Sequence, residues 1–192
     1  MNKLLTIAAV AAAAMSTPSL AQPIANPAGA GAPVLVNSNS NVIATYLGTS
    51  ASFTNELYLV RPGTTDLFLF NNKSSAVGST VDLGSFTPGT ELVFRLFVTN
   101  TQTSFFSGLA GRNPDGRAHA AVESNYGAPG TTLVSFEDLL NGPFTYNDLS
   151  FSFSGTTAGA VPEPETWAMM ILGLGGVGAA MRVRRRRVAF AA

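Results

Sequence analysis

Long apolar runs stand only at the two ends of the chain, and polar residues interrupt the apolar ones everywhere in between. Leu4 to Ala14 forms an eleven-residue apolar run, and Trp167 to Met181 forms a fifteen-residue run without a charge. Between residues 34 and 155, Ser, Thr, Asn and Gly separate short apolar runs, and no stretch keeps the spacing of an amphipathic helix. The pattern predicts a helix at each end and short strands in the middle.

The two-residue period of a strand is clearest near the end of this middle region. Leu149, Phe151 and Phe153 alternate with serines, so they would share one face of a strand. Residues 92–98 are more uniformly apolar, which indicates a strand at the centre of a sheet. The predicted strands are Asn41–Leu47, Asn55–Val60, Asp66–Phe70, Ser79–Phe86, Glu91–Thr99, Ala118–Glu123, Thr131–Phe136 and Leu149–Ser154.

Turn sequences lie between these strands and favour a mainly β domain. Arg-Pro-Gly at 61–63, Thr-Pro-Gly at 87–89 and Asn-Pro-Asp-Gly at 113–116 combine residues that turns prefer. Many short strands with regular turns predict a single β-sandwich ectodomain of jelly-roll type over residues 34–160. This length is sufficient for one hydrophobic core.

The first 21 residues contain the three parts of a secretory signal peptide. Lys3 precedes the apolar run, Pro18 ends it, and Ser19-Leu20-Ala21 places small residues where signal peptidase recognises them. A buried Ala-rich helix is the alternative, but it needs neither the positive start nor the small residues. We expect residues 1–21 to direct export through the Sec translocon, with cleavage by signal peptidase after Ala21. Residues 22–33, rich in Pro, Gly and Ala, are predicted to be a flexible linker.

The second apolar run has the flanks of a membrane span. Fifteen residues in a helix extend about 22 Å, less than the hydrocarbon core of about 30 Å, so length alone also allows a core helix. Trp167 at one end is a typical interfacial residue, and a cluster of arginines follows the other end. We therefore predict one transmembrane helix at residues 167–181, with the arginines in the cytoplasm. These arginines are Arg182, Arg184, Arg185, Arg186 and Arg187.

The arginine cluster also offsets most of the excess of acidic residues in the middle of the chain. The formal net charge is zero, from 11 basic and 11 acidic residues. Residues 22–161 carry five basic and nine acidic residues, a net charge of −4, whereas the tail has five arginines against Glu163 and Glu165, a net charge of +3. A nucleic-acid patch is the alternative interpretation of the arginines. Their position beside an apolar segment of an exported chain favours a membrane stop, so we expect no nucleic-acid partner.

Pro162, Glu163 and Pro164 stand just before the predicted span. The prolines fix φ and remove backbone donors, which holds the segment in the extended form that a protease-like enzyme binds. A simple Pro-rich hinge beside the membrane is the alternative. With Trp-Ala-Met-Met at 167–170, the apolar span and the arginines, residues 161–187 resemble the PEP-CTERM sorting signal, in its variant with a WAMM-type tail.

This resemblance implies a sorting route. In the family, an integral-membrane exosortase recognises the Pro-Glu-Pro region and removes the helix. Proteins with this tail belong to Gram-negative bacteria that make exopolysaccharide, and they reach the cell surface or matrix. We therefore expect a precursor in the inner membrane and a mature protein at the cell surface or in the extracellular matrix. Its expected role is structural or interactive, in association with exopolysaccharide and biofilm.

Three blocks of the middle region carry a second resemblance. They are TPGTELVFRLFVTNTQTSFFSG, GRNPDGRAHAAV and LVSFEDLLNGPFTYNDLSFSFSG, in that order. Residues 87–155 therefore resemble an exported bacterial family called domain of unknown function 4114. The resemblance implies a β-rich extracellular module and leaves its role open.

Composition excludes several kinds of site. The chain has no cysteine and a single histidine, His119, which rules out disulfides, thiolate catalysis, Cys-ligated zinc and multi-His metal sites within one chain. No nucleophile elbow of the GxSxG type accompanies His119, the only imidazole base. We predict no catalytic residues and no enzyme activity. A hydrolase of envelope polymers is the least favoured alternative.

Acidic residues late in the middle region form one candidate metal site. Glu137, Asp138, Asn147 and Asp148 flank one loop, and Asp115 lies in the Asn-Pro-Asp-Gly turn. We expect no cofactor, but the oxygens of these residues suit Ca²⁺, which is the alternative. A calcium-dependent carbohydrate- or surface-binding module is accordingly the second function hypothesis. The resembling family has a more acidic loop, Asp-x-Asp-Tyr-Asn-Asp, so two of its carboxylates are absent here. The favoured alternative is that Asp138 and Asp148 accept loop N–H bonds as caps of a hairpin.

Overall fold

The computed structural model describes residues 21–161 together with Leu172 and Leu174. The predicted signal peptide lies outside this part of the chain except for Ala21. The predicted span at residues 167–181 lies outside it apart from the two isolated leucines, which are helical and exposed. No helix among the described residues is long and apolar enough to cross a membrane. The site residues that fall outside the described part are Pro162, Glu163, Pro164, Trp167, Arg182, Arg184, Arg185, Arg186 and Arg187.

The described residues form twelve strands and two short 3₁₀ helices. The helices are Pro27–Gly29 and Ala110–Arg112. The strands are β1 (Val34–Val36), β2 (Asn41–Thr49), β3 (Asn55–Leu59), β4 (Leu67–Asn71), β5 (Thr80–Ser85), β6 (Glu91–Leu92), β7 (Phe94–Val98), β8 (Thr103–Phe106), β9 (Ala120–Ser124), β10 (Thr131–Phe136), β11 (Leu149–Ser154) and β12 (Thr156–Ala158). The fold is therefore mainly β, as predicted.

The strands pair antiparallel in three sheets. A five-stranded sheet has the order β5-β2-β11-β10-β9, a four-stranded sheet has the order β4-β3-β7-β8, and a small sheet has the order β12-β1-β6. The bounds of β10 and β11 are those predicted from the sequence. The finer jelly-roll assignment stays a prediction.

The strand predicted at Glu91–Thr99 is divided at Val93. Leu92 in β6 pairs with Val34 in the small sheet, whereas Phe94 in β7 pairs with Leu59 in the four-stranded sheet. Hydrophobic periodicity does not distinguish these two sheets, because both strands bury apolar side chains. The strands β1, β8 and β12 are absent from the prediction, since each has only three or four residues and depends on a distant partner.

The five-stranded and four-stranded sheets share one hydrophobic core. Phe94 of β7 stacks on Phe153 of β11 with ring centroids 4.0 Å apart. Tyr46 of β2 stacks on Phe70 of β4 with ring centroids 5.9 Å apart, and Phe70 in turn stacks on Phe151. These aromatic pairs join the inner faces of the two sheets. Phe151 and Phe153 of β11 both take part in them, so they share one face of the strand, as their alternation with serines predicts.

The N-terminal segment at residues 22–33 differs from the flexible linker that its composition predicts. It lies on the outer face of the five-stranded sheet, where Ala25 is fully buried and its N–H donates to Ser135 Oγ at 2.9 Å. The Gly31 N–H donates to the Ala120 carbonyl at 3.0 Å. A Cβ on Gly29 would lie 2.0 Å from the Val122 carbonyl oxygen, so the backbones approach too closely for any other residue. The small side chains that suggested flexibility are what allows this contact.

Candidate functional site

Three carboxylates meet at the loop that joins β10 to β11. Glu137 and Asp138 directly follow β10, and Asp148 directly precedes β11. Because the two strands are antiparallel neighbours, their adjacent ends bring these side chains together. One oxygen from each carboxylate lies within 4.8 Å of the others, and the side chains of Glu137 and Asp138 are buried. We call these three residues the carboxylate cluster.

Hydrogen bonds engage all three carboxylates. The Thr145 N–H donates to Glu137 Oε2 at 3.2 Å, and the Asp138 N–H donates to Asp148 Oδ2 at 2.8 Å. Asp138 Oδ2 accepts a bond from Asn55 Nδ2 at 2.7 Å. Asp148 therefore does cap the loop through its carboxylate, in the manner that the hairpin-cap alternative describes.

The surroundings favour the protonated form of these acids. Burial is the largest cause that raises the pKa of Asp138 to about 6; the hydrogen bond from Asn55 opposes the rise, and the neighbouring Asp148 carboxylate adds to it. Burial likewise raises the pKa of Asp148 and of Glu137. Like charges in a shared, poorly solvated space disfavour ionisation of all three groups. Ionisation of one carboxyl group therefore disfavours ionisation of its neighbours, and a positive charge beside them would favour it.

Asn55 is the member of this site that the sequence does not reveal. It lies at the start of β3 in the four-stranded sheet and is fully buried. Its amide nitrogen bonds Asp138, whereas its amide oxygen, Oδ1, has no hydrogen-bond partner among the described residues. Asn55 lies far from the predicted ligands in the chain, and only the packing of the two sheets brings it to the loop.

Asp115, predicted as a candidate calcium ligand, lies apart from the cluster and pairs with His119. Its carboxylate is 3.0 Å from His119 Nε2 and also accepts bonds from the N–H groups of Arg117 and Asn141. The other ring nitrogen of His119, Nδ1, lies 3.0 Å from the Glu137 carbonyl oxygen. Both nitrogens thus face oxygen atoms of the protein. The ring is fully buried, so its pairing with Asp115 is a structural contact of the fold.

Asn147, the remaining candidate ligand, already accepts hydrogen bonds from other protein groups. Its side-chain oxygen accepts a bond from the Thr145 hydroxyl at 2.9 Å, and its carbonyl accepts a bond from the Ser50 hydroxyl. The structure therefore brings together three of the five predicted ligands, Glu137, Asp138 and Asp148.

The loop that carries the cluster has an unusual backbone. Phe144 and Tyr146 both adopt φ of 51°, a left-handed conformation that bulky residues rarely take. Arg117 lies over the Phe144 ring at 3.7 Å from its centroid, and the Tyr146 hydroxyl donates to the Ala118 carbonyl at 3.1 Å. These contacts hold the loop over Glu137 and offset the cost of the strained residues.

Comparison with known proteins identifies the segment that follows the described domain. Residues 160–186 match the family model of the PEP-CTERM protein-sorting motif. The motif indicates an exported protein that an exosortase sorts and that is transiently anchored in the membrane. The match includes the Pro162–Pro164 box, Trp167 and all the tail arginines except Arg187. No curated protein and no solved structure matches the chain. The resemblance of residues 87–155 to the domain of unknown function 4114 stays a prediction.

Proposed function

We propose that this chain is a non-catalytic protein of the cell surface or extracellular matrix, with a structural or interaction role in association with exopolysaccharide. The observation that carries the proposal is the sorting motif at residues 160–186. The burial of His119 and the engagement of both its ring nitrogens support a non-catalytic role, because the only imidazole of the chain has no free nitrogen for a substrate.

The route to the surface has four steps. The Sec translocon exports the chain, signal peptidase removes residues 1–21, and the helix at residues 167–181 arrests the precursor in the inner membrane. The arginines hold the tail in the cytoplasm. Exosortase then cleaves near the Pro-Glu-Pro box at 162–164 and releases the domain.

The end of the folded domain suits this processing. The last strand, β12, ends at Ala158, and the Gly159 N–H donates to the Pro33 carbonyl at 2.8 Å. Pro162 follows three residues later. Cleavage near Pro162 therefore removes no strand of the three sheets, and the product keeps the net charge of −4 found over residues 22–161.

An aromatic surface on the four-stranded sheet supports contact with polysaccharide. Phe68 is 48% exposed and packs edge-on against Tyr58, with centroids 5.6 Å apart. Arg95 lies over the Tyr58 ring at 4.3 Å and is paired with Asp66 at 2.8 Å. Aromatic faces flanked by charged hydrogen-bonding groups suit the apolar faces and hydroxyls of sugars. We propose this face as the contact with exopolysaccharide.

The sorting step is tested by replacing the five tail arginines with glutamine and following the chain in its host by immunoblot and mass spectrometry. The expected wild-type product ends near residue 162, whereas the variant accumulates in the periplasm with its tail intact. Arg61→Gln, at an exposed position of the domain, is the control and should be processed like the wild type. Unchanged processing of the five-arginine variant would contradict the route.

The polysaccharide contact is tested with Phe68→Ala and exopolysaccharide isolated from the same host. We expect at least a fivefold loss of binding in co-sedimentation, while Val77→Ala, at a 69% exposed position, binds like the wild type. No sedimentation of the wild-type protein would refute the association with exopolysaccharide but would leave the sorting route intact.

A further inference from the structure

The carboxylate cluster is incomplete as an arrangement of protein groups alone. Three carboxylates lie within 4.8 Å of one another. Lys73 Nζ donates to the Ala51 carbonyl at 2.9 Å, and His119 Nε2 is paired with Asp115, so neither basic group is bonded to a carboxylate of the cluster. A further positive charge would relieve the repulsion that remains.

We propose that the carboxylate cluster and the side-chain oxygen of Asn55 bind a hard divalent cation, and that the ion bound outside the cell is Ca²⁺. All four donors are oxygens, the ligand type that Ca²⁺ prefers. Oδ1 of Asp138 and Oδ1 of Asp148 receive no N–H bond from the described residues. The carboxyl groups of Asp138 and Asp148 lie within hydrogen-bonding distance of each other, a contact that a bound cation would bridge. Water molecules would complete the coordination, since Ca²⁺ takes six to eight oxygens.

Asn55 provides the observation that is independent of the acidic residues. An amide oxygen that is fully buried and unpaired is costly, and native proteins rarely tolerate one without a partner. When Asp138 is ionised, rotation of the amide does not solve the problem, because it would place the oxygen against the carboxylate oxygen Oδ2 in place of the nitrogen. A cation beside the cluster would satisfy this oxygen while leaving the bond from Nδ2 to Asp138 intact.

The position of the ion in the fold indicates what it does. Asn55 belongs to the four-stranded sheet, while Glu137, Asp138 and Asp148 lie at the ends of β10 and β11 in the five-stranded sheet. A bound cation would therefore join strand ends of the two sheets that enclose the core. We expect Ca²⁺ to stabilise the domain, with a dissociation constant of about 0.1–1 mM, typical of extracellular modules.

The test uses the purified protein, stripped with a chelator and titrated with CaCl₂, with MgCl₂ as a parallel arm. We expect the Tm to rise progressively with Ca²⁺ up to 10 mM, more than with Mg²⁺, as ligand linkage requires. Asp148→Asn should weaken the apparent affinity for Ca²⁺ at least tenfold. Asp82→Asn, which removes the same charge from an exposed strand away from the site, should leave the affinity unchanged.

Binding of Tb³⁺ gives a second measurement that does not depend on stability. Tyr146 directly follows Thr145, whose N–H donates to Glu137 Oε2 at 3.2 Å, so the tyrosine ring lies near the site. We therefore expect tyrosine-sensitised luminescence with one Tb³⁺ per chain, competed by Ca²⁺. Glu137→Gln should abolish this signal. The proposal is overturned if neither Ca²⁺ nor Tb³⁺ binds the wild type, or if Asp148→Asn binds as tightly as the wild type. These results are independent of the sorting route and of polysaccharide binding.

Discussion

Asn55 donates a hydrogen bond to Asp138 at 2.7 Å, although the two residues are 83 positions apart in the chain. The bond joins the first residue of β3 to the loop that follows β10, so it links the two large sheets outside their shared core. Both side chains are buried, which makes the bond costly to break. The folded state therefore depends on a polar contact between the sheets as well as on their aromatic core.

The first prediction concerns this contact. Asn55→Ala removes the donor and leaves the Asp138 carboxylate buried without it, which should lower the free energy of unfolding by about 1–3 kcal/mol. Asn147→Ala is the matched control, because its amide bonds only the neighbouring Thr145 and should change stability by less than about 1 kcal/mol. Urea unfolding in the presence of a chelator measures both values. Equal effects of the two substitutions would show that the bond between the sheets contributes little.

The second prediction concerns the N-terminal segment. Gly29→Ala places a methyl group 2.0 Å from the Val122 carbonyl oxygen and should detach residues 22–31 from the sheet, at a cost of about 1–3 kcal/mol. Gly111→Ala is the control, since nothing lies within 4 Å of its added Cβ. Hydrogen exchange of the Ala25 and Gly31 amides should accelerate in the first variant only. Protected amides in Gly29→Ala would mean that the segment adapts without detaching.

The third prediction is a dependence on acid. Burial acts to raise the pKa of Asp115, but hydrogen bonds from His119 and from the backbone N–H groups of Arg117 and Asn141 outweigh it and lower the pKa below its usual value. A carboxyl group with a lowered folded-state pKa contributes stability above its unfolded pKa of about 3.9, and this stability is lost as the pH falls through the folded-state value.

Asp115→Asn should therefore unfold more easily than the wild type at pH 7, by about 1–3 kcal/mol. The gap should close as the pH falls below about 4, toward the lowered folded-state pKa of Asp115. Denaturant unfolding at pH 7, 5 and 3 measures it. A gap that is the same at all three values would show that the charge of Asp115 does not contribute.

The fourth prediction concerns the core. Phe153→Ala removes the ring that stacks on Phe94 at 4.0 Å and opens a cavity between the sheets, which should cost about 3–5 kcal/mol. Phe68→Ala truncates an aromatic side chain that is 48% exposed and should cost less than half as much. Thermal or urea unfolding distinguishes the two. Similar losses would place the main core elsewhere than between these sheets.

Several elements followed from local sequence alone. The alternation of Leu149, Phe151 and Phe153 with serines predicted β11 with the bounds that the structure shows, and β10 was predicted as accurately. Periodicity predicted a single strand at residues 91–99, but the structure divides this apolar run at Val93 between two sheets. Three short strands were missed because three or four residues are too few to show a two-residue period. Their position in the fold depends on the strands with which they pair.

The candidate site was also predictable from the sequence only in part. Glu137, Asp138 and Asp148 stand beside the ends of two neighbouring strands, so their meeting could be anticipated from the sequence. Asp115 could not be separated from them without the structure, because its pairing with His119 depends on how the turn folds back on β9. Asn55 had no local signal at all, since an asparagine at the start of a strand is an ordinary residue.

The sequence by itself determined the sorting motif at residues 160–186 and the β character of the domain. An enzyme recognises such a motif as a linear segment, and alternation is a property of adjacent residues, so neither needs a distant contact. Tertiary structure alone decided that residues 22–33 pack on the sheet and that Asn55 meets Asp138. These contacts depend on which strands pair and how two sheets stack, and that geometry is set by the whole chain.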